Sequence, residues 1–254
     1  MITEYVLAES ADAAAAQLAA GAAVMAGGTA LLPKGVEAER VVGLARAGMD
    51  GVVKQGGRVV LGAAVPLAVA AALDGPVGRA AAAVGGPALR NMATVGGNLL
   101  AGAPYGDVGV ALLALGAEVD LVGRADHGGA PGELAARTVP IDQLWTSFRP
   151  GEDLVRSISY DDAPGVYVRW ARRAANSPAV VCVAVSGGRV AVGGVAPHPV
   201  RSPAAEAHLD DPEAAGEAAA DAVDPPTDAI ASSWYRRRMT RVFVRRALEE
   251  SHAV

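Results

Sequence analysis

The amino-acid sequence predicts an α+β fold, on two observations. Short β-branched runs such as Val41-Val-Gly-Leu44 and Val180-Val-Cys-Val-Ala-Val185 alternate with alanine-rich stretches of helical character. Paired glycines, Gly56-Gly57 and Gly187-Gly188, stand between β-rich arms and mark hairpins. A length of 254 residues allows one large domain or two modest ones, with a core that needs no disulfide or metal staple. That core is built from small aliphatic side chains, because the apolar fraction of 52% leans on alanine and aromatics make up only 4%.

Taken in order, Ser10 caps an alanine-rich helix that stops near Gly21, and Ala22-Ala-Val-Met25 is a short strand running into Ala26-Gly-Gly-Thr-Ala-Leu-Leu-Pro33. Val41 to Leu44 is a buried strand. Val52 to Leu61 is the first hairpin, and Pro66 to Val84, broken by Asp74-Gly-Pro76, makes two short helices. A long glycine-rich stretch, Gly85 to Asp107, leads to a helix over 108–115 and a strand over 118–122. Residues 123–133 form a polar surface loop, and Val139 to Leu144 returns to apolar structure. Strands follow at 154–160 and 165–169, and a second hairpin joins 180–185 to 189–194 across Ser186-Gly-Gly188. The acidic, alanine-rich segment Ala204 to Asp228 reads as one helix with a solvated face. Ser232 to Glu250 is a strong helix. Tyr235, Met239 and Val242 form its apolar stripe, and arginines at 236, 237, 238, 241, 245 and 246 ring the remainder, either as a packing helix or as a docking surface.

Composition excludes several function classes. A net charge of −5 argues against a nucleic-acid binder, which shows a basic surplus. The lone Cys182 lies in an apolar run, where it acts as a small hydrophobe, and one cysteine cannot hold an iron–sulfur cluster. His127, His198, His208 and His252 are too scattered for a sequence-local zinc motif, so a redox role needs an organic cofactor. No basic signal-peptide start and no uninterrupted apolar span are present, which predicts a cytoplasmic chain without membrane insertion.

G-x-G-x-x-G, P-loop, G-x-S-x-G and H-E-x-x-H signatures are all missing. What remains is a matched pair of glycine turns, Gly27-Gly28-Thr29 and Gly96-Gly97-Asn98, the second preceded by Thr94. Paired glycines let the backbone take positive φ and converge several N–H groups on one anion, with no Cβ in the way. Thr29, Thr94 and Asn98 add side-chain donors, and Asp107 offers a carboxylate of the kind that bonds ribose hydroxyls. Either pair taken alone is equally an ordinary turn.

Ala26-Gly-Gly-Thr-Ala-Leu-Leu32, Leu89-Arg-Asn-Met-Ala-Thr-Val-Gly-Gly-Asn98, Pro104 and Asp107 together resemble the flavin-binding subunit of the molybdenum hydroxylase family. These are the medium chains of carbon monoxide dehydrogenase and of related aldehyde, xanthine and nicotine oxidoreductases. The resemblance extends to Leu61-Gly-Ala63, Tyr235-Arg-Arg and Val244-Arg-Arg-Ala-Leu248, and so spans nearly the whole chain. It implies an FAD-binding fold of the vanillyl-alcohol oxidase (PCMH) type over residues 1–160, in two parts of about 1–53 and 54–160. A C-terminal domain of three-stranded antiparallel sheet plus helices is implied over residues 161–254. Carried over by position, Val24, Met25, Ala26, Gly27, Gly28, Thr29, Ala30 and Leu31 would wrap the FAD diphosphate from one side. Thr94, Val95, Gly96, Gly97 and Asn98 would do so from the other. Asp107 would serve the adenosine side, Leu154 would contact the cofactor, and Arg169 would stand near the flavin ring. The chain departs from the family at Ala30, where relatives carry a polar residue, and in a shortened 32–53 region.

The implied job is electron transfer. A partner subunit with two [2Fe–2S] clusters would deliver electrons taken from a molybdopterin-binding large subunit, and an external acceptor (NAD, quinone or oxygen) would remove them. No catalytic acid or base is needed. Tyr105, Trp145 and Trp170 are aromatic candidates for the flavin ring. The rival readings are a self-sufficient flavin oxidase or reductase and a non-enzymatic nucleotide-binding module.

Overall fold

In the computed structural model, residues 2–125, 133–173 and 176–253 are described. Most of the surface loop expected over 123–133 lies outside them. The N-terminal part is a parallel three-stranded sheet. It comprises β1 (Glu4–Leu7), helix α1 (Ala11–Ala19), β2 (Ala23–Met25), a short helix α2 (Leu31–Lys34) and β3 (Arg40–Gly43), in strand order β1-β3-β2. Ser10 caps α1 by accepting the Ala13 N–H at 3.0 Å. Ala14 and Ala15 are fully buried, and small side chains there let α1 lie close to the sheets beneath. Strand β1 was not legible in the sequence. Its residues are half exposed or exposed, and pairing with β3 (Tyr5 opposite Val41) is what makes them a strand.

The second sheet is antiparallel. Its strands are the hairpin β4 (Val52–Gln55) and β5 (Arg58–Gly62), then β6, β7 and β8 after a run of helices α3 (Leu67–Ala70), α4 (Gly75–Ala83), α5 (Pro87–Met92), α6 (Val95–Leu99) and α7 (Asp107–Ala114). Here β6 is Glu118–Arg124, β7 is Leu134–Pro140 and β8 is Asp153–Asp161, with α8 (Ile141–Ser147) between the last two and strand order β4-β5-β8-β6-β7. The largely exposed edge strand β7 also escaped the sequence, because only its ladder to β6 defines it. Helix α7 has every residue buried and forms the centre of the main core.

The third sheet consists of β9 (Val166–Ala171), β10 (Ala179–Ser186), β11 (Arg189–Gly193) and a two-residue edge strand β12 (Val200–Arg201), all antiparallel. It therefore has three long strands and one short addition. Helices α9 (Pro203–Glu206), α10 (Pro212–Asp221) and α11 (Ser233–Ser251) complete the chain. The single helix expected over 204–228 is thus two. Asp211 caps α10 by accepting the Ala214 N–H at 3.1 Å, and Pro212 follows as its first residue, a position where a helix starts and cannot continue from behind.

A second correction concerns α11. Its buried face is Arg236, Thr240, Phe243, Val244, Ala247 and Leu248, while Tyr235, Met239 and Val242 are only half buried beside it. Arg236, expected on the surface, is 1% exposed. It donates to the Val180 and Gly194 carbonyls at 2.6 and 2.8 Å and pairs with both oxygens of Asp228. The strand-period alternation of β9 and β10 divides the third sheet between two cores. Tyr167, Cys182 and Ala184 join the core around α7, whereas Val166, Val181, Val183 and Val185 join the one under α11.

Candidate functional site

A cleft of about 780 Å³ opens where the two glycine turns meet. The first turn leaves the end of β2. Gly28 has φ of +71°, in the left-handed region, and a Cβ on Gly27 would stand 1.6 Å from the Met92 carbonyl oxygen. Glycine is therefore required for this turn to lie against the segment before the second one. Among the described residues the N–H groups of Gly27, Gly28, Thr29 and Ala30 meet no hydrogen-bond acceptor, whereas the Gly28 carbonyl accepts from Leu32 at 2.9 Å. A run of unpaired donors facing a cleft suits an anion.

The second turn is different, and the expectation of two equivalent backbone cradles needs correcting. Val95 N–H donates to Val65 at 2.9 Å, Gly96 N–H to Ala63 at 2.8 Å, and Asn98 N–H to the Thr94 carbonyl at 2.8 Å. Gly97 N–H donates to Thr94 Oγ1 at 3.2 Å, which makes Thr94 the N-cap of α6. A Cβ on Gly96 would lie 2.8 Å from that of Ala63. These glycines serve close packing of α6 on the 63–67 segment, and their main-chain donors are already used. What this turn still offers is the Thr94 hydroxyl proton and the Asn98 amide nitrogen, since Asn98 Oδ1 accepts from Val108 N–H at 3.1 Å.

Val24, Met25, Ala26, Gly27, Gly28, Thr29, Ala30 and Leu31 all line the cleft, as do Thr94, Gly96, Gly97, Asn98 and Leu154. Val95 is fully buried beneath it. Asp107 and Arg169 do not line it. Tyr167 donates its hydroxyl proton to Asp107 Oδ1 at 2.7 Å, and Arg169 Nε donates to the same oxygen at 2.9 Å, with both side chains of the ion pair largely buried. The ribose and flavin-ring contacts expected of these two thus compete with a contact they make to each other, because charges this far from water require a partner. Burial, and then the Asp107 charge, push the Tyr167 hydroxyl well above the ordinary tyrosine range, so it remains a donor. Burial does the same to the Cys182 thiol behind it.

Of the aromatic candidates only Tyr105 lines the cleft, 60% exposed. Trp145 stacks on His198 and donates to the Leu99 carbonyl, and Trp170 donates to the Tyr235 hydroxyl on the other side of the third sheet.

The sequence reading missed Lys34, Phe148, Pro150 and Asp153, which line the cleft as well. Lys34 was the findable one, as one of only two lysines and close behind the first turn. Asp153 had no distinctive local signal, since its partners are Arg137 on β7 and Arg149 on the loop that precedes β8. Its side chain is fully buried and accepts from Arg137 at 2.7 and 2.6 Å and from the Arg149 N–H at 2.7 Å. Burial alone would raise its pKa, but the bonds from Arg137 and Arg149 outweigh that and hold it at about 2. The carboxylate thereby anchors the 148–155 wall of the cleft.

The site fits FAD on its own geometry: a cleft of about 780 Å³, unpaired donors on a glycine turn that no side chain could occupy, and a lysine on the lining. The family of FAD binding domains in molybdopterin dehydrogenase matches residues 1–144, and the C-terminal domain of the CO dehydrogenase flavoprotein matches residues 167–251. Among solved structures, a carbon monoxide dehydrogenase from Hydrogenophaga pseudoflava, lacking the Mo-pyranopterin moiety of its cofactor, is 26% identical with a TM-score of 0.86 over 100% of this chain and 98% of that one. Reconstituted CO dehydrogenase from Oligotropha carboxidovorans is 25% identical, with a TM-score of 0.83 over 98% and 97% of the two chains. Quinoline 2-oxidoreductase from Pseudomonas putida 86, at 20% identity and a TM-score of 0.81 over 98% and 96%, shares the fold. No curated protein sequence matches. The chain belongs to the family of FAD-binding domains of molybdopterin dehydrogenases, as the FAD-binding oxidoreductase subunit of a CO dehydrogenase or molybdenum hydroxylase type enzyme.

Proposed function

We propose that this chain takes electrons from [2Fe–2S] clusters of a partner subunit and passes them to an external acceptor, while a molybdopterin-binding subunit performs the substrate chemistry. The observation that carries this reading is the run of unpaired N–H groups at Gly27 to Ala30, on the lining of a cleft of about 780 Å³. Bound FAD would supply a carrier that is stable after accepting either one or two electrons.

The chain's own residues bind and orient. Gly27, Gly28, Thr29 and Ala30 direct main-chain donors at the diphosphate, and Lys34 adds positive charge beside them. Thr94 and Asn98 contribute side-chain donors from the opposite wall, and Leu154, held in place by Asp153, packs against the cofactor. Asp107 and Arg169 act as positioning residues, fixing the turn that presents Tyr105 to the cleft. With a single cysteine the chain cannot ligate a cluster itself, which is why the electron donor is assigned to another polypeptide.

Titration of the purified chain with FAD tests the binding part of this reading. One equivalent should bind, with flavin absorbance, and Gly27→Ala should weaken binding at least tenfold. A protein that stays colourless under FAD excess overturns it. Turnover of an organic substrate by the chain without any cluster- or molybdenum-bearing partner would instead support a self-sufficient flavin enzyme.

A further inference from the structure

Among the described residues, Lys34 and Asp153 are the only charged side chains on the lining of the cleft. Asp153 is fully buried and committed to Arg137 and Arg149, and Glu152 pairs with Arg149 as well, so the charges behind that wall balance. Lys34 is different. It is exposed and meets no carboxylate or other hydrogen-bond partner among the described residues, Glu37 and Glu39 just after it included. An uncommitted cation therefore stands on an otherwise neutral lining.

Its position relative to the first glycine turn is set by α2. The chain is already helical at Ala30, with φ of −101° and ψ of −32°, so Ala30 and Lys34 lie four residues apart on one helical face, and both line the cleft. Side chains of a helix lean toward its N-terminus, and α2 shows this directly. Leu32 reaches back over Gly28, with its Cδ1 3.1 Å from where a Cβ on that glycine would stand. The same lean carries Lys34 back over Ala30, whose methyl group leaves room for the four-carbon stem. Four residues of helix rise about 6 Å, a span that an extended lysine covers. Its ammonium thus reaches the unpaired N–H groups of Gly27 to Ala30.

We infer that Lys34 folds back along α2 to pair with the cofactor's diphosphate, as a specificity-determining residue through which ionic strength controls FAD retention. This rests on the proposed function above in one respect, that the diphosphate lies at Gly27 to Ala30. Main-chain donors offer a phosphate only partial charges, whereas an ammonium offers a full one. The sign of the salt effect separates the lysine from its surroundings. The chain as a whole carries a net charge of −5, which repels an anionic ligand, and added salt screens that repulsion and tightens binding. A cation in contact with the phosphates gives the opposite sign, because salt screens its attraction.

The test is FAD titration of the purified chain, freed of flavin, at about 20 mM and about 500 mM salt, read by flavin fluorescence. The wild-type Kd should rise roughly tenfold between the two. Lys34→Ala should bind roughly tenfold more weakly than wild type at low salt and change little as salt is added. Lys34→Arg, which keeps the charge, should keep the wild-type slope, and Lys34→Glu should reverse it. Gly27→Ala acts through the main chain, so it should weaken binding at both salts with the slope unchanged. A wild-type Kd that salt leaves unchanged or lowers overturns the inference. So does a Lys34→Ala variant that keeps the wild-type slope, whether or not its affinity falls. Either result, obtained with FAD bound, leaves the proposed function standing. A wild-type chain that binds no FAD at either salt overturns both, a result distinguishable from the others.

Discussion

Asp107 and Arg169 meet where the cleft-side loop joins the third sheet, and their value depends on each being present. The ion pair has side-chain exposures of 6% and 12%, and Tyr167 satisfies the same carboxylate oxygen. Removing one partner leaves an uncompensated buried charge, so Arg169→Met is expected to cost roughly 3–5 kcal/mol of stability, measurable by urea unfolding. Asp107→Asn with Arg169→Met should recover part of that loss, because no net charge is then stranded. Asp153 behaves differently, since its signature is in pH. Its folded pKa of about 2 lies below that of the unfolded chain, so its contribution is fully present above the unfolded value and disappears as pH falls through the folded one. Stability measured from pH 5 down to pH 2 should therefore decline, and Asp153→Asn should flatten that decline while lowering stability at neutral pH. An unchanged slope in the variant would refute the assignment of this carboxylate as the acid-sensitive anchor.

The two glycine turns look alike in sequence and do different work as elements. At Gly27 the requirement is approach, because any Cβ would collide with the Met92 carbonyl; the at least tenfold loss of FAD affinity expected for Gly27→Ala follows from pushing the two loops apart. At Gly96 the requirement is packing on Ala63, so Gly96→Val should lower the melting temperature first and FAD retention only as a consequence. Helix α11 makes a similar point about arginine. Arg236 reaches through the core to two main-chain carbonyls, and Arg236→Met should cost about 2–4 kcal/mol by orphaning the Val180 and Gly194 oxygens and freeing Asp228. Heptad-like spacing in the sequence placed the apolar stripe one residue off, because a guanidinium that finds buried carbonyls counts as interior, which no hydropathy scale expresses.

For the whole molecule, the third sheet couples the two cores. Alternate residues of β10 face α7 and α11, so neither side can be exposed without opening the other. Unfolding followed by far-UV circular dichroism and by tryptophan fluorescence, with Trp145 reporting on one core and Trp170 on the other, should give a single midpoint. Separate midpoints would show that the halves melt independently.

The sequence by itself determined most elements, since caps, glycine hairpins and β-branched runs act over a few residues: Ser10 and α1, Gly56-Gly57 and its hairpin, Ser232 and α11. It also determined the family, through turns whose glycines are locally spaced. Only the tertiary structure decided that β1 and β7 are strands, that Arg236 is interior, that the second turn's donors are internally bonded, and that Asp107 answers to Arg169. Each of these depends on a partner brought near by folding. Burial and hydrogen-bond satisfaction are properties of pairs, so no single stretch of chain carries them.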